Sequence, residues 1–127
     1  MRTLAAAAVL FLFAVPAQAQ TGKYRIESMD YEVHSIRQVG NTTVLDITFT
    51  NRSAIPCDIA IPDLMHYRTT SAFDLIRCHN KASKLPSKLL EDTPQRCSIV
   101  FPGTGHKIRL YGKGFLGSAT HKDITIP

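Results

Sequence analysis

Apolar and polar residues alternate with a period of two in segment after segment of this 127-residue chain. In "TTVLDITFTN" (42–51), Leu45, Ile47 and Phe49 alternate with Asp46, Thr48 and Thr50, the pattern of a strand with one buried face and one wet face. The preceding "YRIESMDYEVHSIRQV" (24–39) alternates less cleanly, with Tyr31 and Val33 on one face and Glu32 and His34 on the other. Gly40-Asn41 between these runs is a two-residue hairpin signal, glycine supplying positive φ at the first turn position. "CDIAIP" sets Cys57, Ile59 and Ile61 on one face, and the bracketing Pro56 and Pro62 predict a short strand near a sheet edge. "SAFDLIRC" predicts a fourth strand, with Phe73 and Leu75 opposite Asp74 and Ile76. "CSIVF", a turn at Pro102–Gly105, "HKIRLYG" and "HKDITIP" complete the series.

The longest irregular segment is "HNKASKLPSKLLEDTPQR" (79–96), in which "PSKLLED" predicts one or two helical turns with Pro86 at a first-turn position. About seven short strands with little helix predict an all-β fold, a small antiparallel β-sandwich of immunoglobulin-like form. The chain has no Trp, so one hallmark of antibody-type domains is missing and the expectation concerns architecture alone. Inward rows such as Leu45/Ile47/Phe49 and Ile99/Phe101 would supply the core.

The first residues read differently. In "MRTLAAAAVLFLFAVPAQAQ", Arg2 precedes an apolar run from Leu4 to Val15, then Pro16 and the small-x-small triplet Ala17-Gln18-Ala19. That is the layout of a signal peptide over residues 1–19, and the run is too short to span roughly 30 Å of hydrocarbon. No cysteine follows the expected cleavage site, which argues against a lipoprotein. The expectation is a secreted or periplasmic protein, with no transmembrane segment after cleavage and a single domain over 20–127. Without Arg2 the formal charge falls from +5 to +4, and it is scattered. Lys81, Lys84 and Lys88 form the nearest approach to a cluster, with no aromatic residues interleaved, so no nucleic-acid groove is expected.

Three cysteines in an exported domain predict one disulfide. Cys78 closes one predicted strand and Cys97 opens the next, so Cys78–Cys97 is the preferred bridge, clamping the irregular loop. Cys57–Cys97 is its rival across two sheets, and Cys57–Cys78 remains open. No Cys-x-x-Cys is present for thioredoxin-like chemistry.

The stretch "CSIVFPGTGHKIRLYGKG" (97–114) superficially resembles the metal loop of the cupredoxins, small exported β-sandwiches that carry type 1 copper. In that family a Cys near a strand end is followed by His and then Met, often with Pro-Gly between. The resemblance implies Cys97 as thiolate ligand and His106 as a second ligand. Eight residues separate the two, however, and no methionine follows His106. The alternation through Ile99 and Phe101 also keeps the intervening residues in strand. A looser copper or zinc site would draw on Met65, His66, Cys57 and His106, yet no His-x-His or His-x-x-x-His spacing pre-assembles a pair. The chain carries no Gly-x-Ser-x-Gly elbow, Walker-type loop, His-Glu-x-x-His or dinucleotide fingerprint.

The sequence therefore predicts a non-enzymatic binding module without cofactor, an inhibitor, immunity-type or envelope-assembly accessory protein. Its partner would be another protein or an envelope component, and a periplasmic metal carrier is the alternative. The expected binding surface is the clamped loop, with Lys81, Lys84, Lys88, Leu89 and Leu90, since long connections without their own structure are often functional. A second candidate is "GKGFLGS" (112–118), where Phe115 and Leu116 sit among glycines.

Overall fold

A computed structural model describes residues 21–67, 69–112 and 120–126; the signal-peptide expectation for residues 1–19 lies outside them. Among the described residues nine strands follow one another: β1 (Gly22–Ile26), β2 (Met29–Val39), β3 (Thr42–Asn51), β4 (Asp63–Met65), β5 (Thr70–Ser71), β6 (Leu75–Cys78), β7 (Gln95–Pro102), β8 (Lys107–Tyr111) and β9 (His121–Thr125). The described residues include no helix. These strands pair antiparallel throughout, in a five-stranded sheet of order β1-β2-β3-β7-β6 and a four-stranded sheet of order β5-β4-β8-β9.

The chain changes sheet between β3 and β4, between β5 and β6, and again between β7 and β8. Strands β2-β3-β7-β6 and β5-β4-β8-β9 thus take the order of the two faces of an immunoglobulin-like sandwich. The expected all-β sandwich is the observed architecture.

The strand count exceeds the expected one for local reasons. The 24–39 segment folds back on itself at Glu27-Ser28, where Glu27 adopts φ 56° without being glycine, and so makes two strands. Residues 57–62 do not form the predicted strand. Pro56 and Pro62 lack N–H donors, and Ile59 and Ile61 pack against the core from an irregular segment. The strand begins instead at Asp63, and the 70–78 stretch splits into β5 and β6. The Gly40-Asn41 hairpin forms as expected, Val39 pairing Thr42 with Gly40 at φ 60°.

Alternation carries the core. Leu45, Ile47 and Phe49 of β3, Ile99 and Phe101 of β7, and Tyr31 and Val33 of β2 are buried, facing Leu64, Ile108, Leu110 and Ile124 of the second sheet. Each such side chain contributes about 1.5–3 kcal/mol by leaving water. Tyr31 packs edge-on against Phe49, ring centroids 5.7 Å apart, and its hydroxyl donates to the Tyr111 carbonyl across the sandwich. Burial pushes the Tyr31 pKa up, so it stays a neutral donor.

The connection between β7 and β8 passes so close to β4 that a Cβ on Gly105 would lie 2.6 Å from the Met65 carbonyl oxygen. Gly40 has open space around it and only its positive φ to satisfy. Gly105→Ala is therefore expected to lower stability by about 1–3 kcal/mol through overpacking against backbone. Gly40→Ala should cost about 1–2 kcal/mol, from the left-handed conformation alone. Urea-denaturation midpoints of the two variants check the order, Gly105→Ala being the more damaging.

Candidate functional site

Cys78 at the end of β6 and Cys97 near the start of β7 are direct cross-strand partners, and their sulfurs lie 2.06 Å apart. Both are buried. Of the three possible pairings, this is the one at bonding distance. Cys57 lies half-buried at the same end of the sandwich, its thiol directed at the Met29 sulfur 3.9 Å away.

The bridge closes the base of a loop held by its own polar groups. Asn80 organises the first half: its side-chain amide donates to the Lys84 carbonyl (2.8 Å) and its own carbonyl accepts from the Ser83 N–H (3.0 Å). Ser83 turns the chain at φ 51°. The second half, "PSKLLED", is extended rather than helical. Leu89 and Cys57 exchange backbone hydrogen bonds of 2.7 and 3.2 Å, so the backbone groups that a helix would use are spent on a β-bridge.

This corrects the expected surface in part. Leu89 is buried at 2% exposure, with Leu85 packed against the core, whereas Leu90 is 57% exposed. Lys88 pairs with Asp58 at 2.9 Å. Lys81 and Lys84 are exposed and make no ion pair among the described residues. Phe115 and Leu116 lie outside the described residues.

A residue not singled out in the sequence holds this end together. Asn51, the last residue of β3, is completely buried. Its Nδ2 donates to the carbonyls of Ile55 and Leu89, both at 3.0 Å, and its Oδ1 accepts from the Ser53 N–H at 2.8 Å. Its own carbonyl accepts from the Asp92 N–H at 2.8 Å. Sheet, 52–57 segment and clamped loop therefore meet on one side chain. The available signal was Asn followed two residues later by Ser, the spacing of an Asx turn. Ile55, 74% exposed, is fixed through its carbonyl by the same amide that fixes Leu89, next to exposed Leu90.

Ion pairs and charged hydrogen bonds tie neighbouring strands and the loop together. Arg52 bridges Asp30 (2.7 Å) and Asp92 (2.9 Å), joining β2 to the loop. On the outer face of the five-stranded sheet, Arg96 grips Asp46 through Nε and Nη2 at 3.0 and 2.7 Å, which lowers the Asp46 pKa. On the other sheet, Arg109 grips Asp123 at 2.7 and 3.0 Å and lowers its pKa likewise. Tyr111 donates to Asp63 at 2.5 Å, and burial with this acceptor pushes its pKa up to about 12.

The residues of the alternative metal set are split between the two ends of the sandwich. Met65, His66 and His106 lie near the Gly40-Asn41 turn: His106 N–H donates to the Met65 carbonyl, and Gly103 N–H donates to the Asn41 carbonyl. Cys57 lies by Met29 and Leu89, beyond the far end of β3, whose ten residues span roughly 33 Å at about 3.3 Å each. His66 Nε2 pairs with Ser71 Oγ at 2.9 Å. Tyr67, 92% exposed, stacks on His106, whose Nδ1 is buried without a hydrogen-bond partner among the described residues. The cupredoxin-like reading of Cys97 fails on chemistry, because that sulfur is in the disulfide and β7 carries the chain away from it to Pro102. Among the described residues no group of three or more His, Cys, Asp or Glu is placed to hold a metal ion.

No family model, curated protein or solved structure matches this chain.

Two predictions concern this end and its charges. Asn51→Ala leaves buried backbone groups without their partner and is expected to cost about 2–3 kcal/mol. Hydrogen exchange should accelerate at Ser53, Cys57 and Leu89, while amides of β3 and β7 keep their relative protection. Asp46 and Asp123 have native pKa values below the ordinary 3.8. Their contribution is complete above that value and is lost as pH falls through the lowered native values. The double variant Asp46→Asn, Asp123→Asn should flatten the fall of the urea midpoint below about pH 4.

Proposed function

We propose that this protein is a non-enzymatic binding module of the cell exterior or periplasm, acting through the disulfide-clamped end of the sandwich on another protein or an envelope component. The observation that carries the proposal is the pair Ile55 and Leu90, 74% and 57% exposed: Asn51 holds the Ile55 carbonyl, and the same amide holds the carbonyl of Leu89, the residue before Leu90. Exposed apolar side chains held on a rigid base are the usual anchors of a protein contact, because little conformational entropy remains to be lost. Lys81 and Lys84, exposed on the same clamped loop as Leu90, favour an acidic rim on the partner. A leader-like N-terminal segment and a disulfide both support an oxidising compartment. Inhibitor, immunity-type protein and envelope-assembly accessory protein are the roles this surface suits.

The test is photo-crosslinking in the producing cell, with a photoreactive residue at position 90 and, as control, at position 67 on the opposite end. Discrete adducts from position 90, abolished by Ile55→Asp with Lys84→Glu, are expected. Both substitutions are at exposed positions, so the urea midpoint should move by no more than the equivalent of about 0.5 kcal/mol each. Adducts from position 67 with none from position 90 would overturn the assignment of the binding end.

A further inference from the structure

β1 is the outermost strand of the five-stranded sheet, paired with β2 on one side and with no strand on the other among the described residues. Register decides which of its backbone groups are left over. Ser28, at the turn into β2, accepts from the Arg52 N–H at 2.7 Å, so the residues of β2 that bond to β3 beyond it are Asp30 and Glu32. Met29, Tyr31 and Val33 then bond toward β1, where their partners are Ile26, Tyr24 and Gly22. The N–H and C=O groups of Lys23 and Arg25 therefore point outward, in the plane of the sheet and away from β2.

Such an edge pairs with an extended chain unless its side chains forbid it. Those of Lys23 and Arg25 lie on the outer face beside Glu32 and Asp30, whereas Tyr24 turns inward, with the Lys122 ammonium 5.8 Å from its ring centroid. Lys23 is exposed and makes no ion pair among the described residues. The Arg25 side chain is 62% exposed and lies 3.7 Å from Asp30, whose shorter contact, 2.7 Å, goes to Arg52. A second copy of β1 laid antiparallel on this edge would set Lys23 against Arg25 twice over, like charges directly opposite. The edge thus repels its own kind and attracts a strand of opposite charge.

We infer that the free edge of β1 is a strand-addition site for an extended acidic segment of another protein, with the pattern acidic–apolar–acidic. Laid antiparallel, its two acidic residues exchange backbone hydrogen bonds with Lys23 and Arg25 and bring their carboxylates beside the two cations. The residue between them falls opposite Tyr24 in the closer, non-hydrogen-bonded pair, so an apolar side chain there packs against the ring. Charge then alternates from strand to strand across the outer face: Glu32, Lys23 and an added acid in one row, Asp30, Arg25 and an added acid in the next. Other edges lack this pattern, since β5 has two residues and the Asp123 carboxylate of β9 is already held by Arg109. The β1 edge and the Ile55–Leu90 pair are distinct surfaces built from different segments.

The probe is a capped synthetic peptide of alternating Glu and Val, titrated into the purified, isotopically labelled protein and followed by amide hydrogen exchange. In the free protein the Lys23 and Arg25 amides should exchange fast and the Tyr24 amide slowly. The peptide should slow Lys23 and Arg25 about tenfold once it is in roughly tenfold excess over its Kd. The same peptide N-methylated at its Glu residues keeps the charge, lacks the pairing donors and should leave both amides unchanged. Lys23→Glu with Arg25→Glu should abolish the slowing by the Glu-Val peptide and confer it on a peptide of alternating Lys and Val. Both positions are exposed, and the urea midpoint checks that the double variant folds. Protection of Lys23 and Arg25 in the free protein overturns the inference, as does failure of the Glu-Val peptide to slow them. Equal slowing by the N-methylated peptide, or slowing of the unaltered protein by the Lys-Val peptide, overturns it too.

Discussion

The pairing of β3 with β7 is the constraint on which the remaining structure rests. The eight partner pairs from Thr42–Pro102 to Phe49–Gln95 align two alternating sequences so that Leu45, Ile47 and Phe49 share an inner face with Cys97, Ile99 and Phe101. A slip of one residue would turn every one of these side chains to water, so burial itself fixes the register. The same alignment, carried one strand further, sets Cys97 against Cys78. On the outside it sets Val44 beside Val100 and Thr48 beside Arg96. Core, disulfide and zoned outer face are three consequences of one ladder.

The parts legible from residues alone are those governed by period-two alternation. β3, β7, the Gly40-Asn41 hairpin and the preferred cysteine pair could be read because each has a local signal that the tertiary structure reinforces. The parts that were not legible depend on groups distant in sequence. Nothing in "PSKLLED" says that Leu89 exchanges hydrogen bonds with Cys57 rather than starting a helix. Alternation at Cys57, Ile59 and Ile61 looked like a strand, but the flanking prolines remove the donors that a sheet neighbour would need. The Glu27-Ser28 turn has no glycine to announce it, and its Glu27 carboxylate accepts from Thr120 at 2.8 Å, a contact from 93 residues away.

The candidate site divides in the same way. The clamped loop was visible as a long irregular stretch between two cysteines, and Leu90 and the lysines stand where a loop reading puts them. Leu89 is in the core because it faces Asn51, and Asn51 matters because a buried amide must satisfy all its hydrogen-bonding groups. Neither fact follows from composition. The alternative metal set was an inventory of ligand-type residues, and the length of β3 is what keeps Cys57 from His66 and His106.

The way the loop is tied has a consequence for how this fold can change over generations. Its entry is fixed by the disulfide and by the hydrogen bond from His79 to the Arg96 carbonyl, and its exit by Leu89. Between these anchors, apart from Leu85, residues 80–88 are held by contacts of their own around Asn80 and at the rim by Lys88 with Asp58. Doubling the length of such a closed segment adds only about 0.6 kcal/mol of closure entropy. Insertions and substitutions there are thermodynamically cheap and leave the sandwich untouched. The molecule is in effect a rigid frame carrying a replaceable tip, free to drift with whatever it meets.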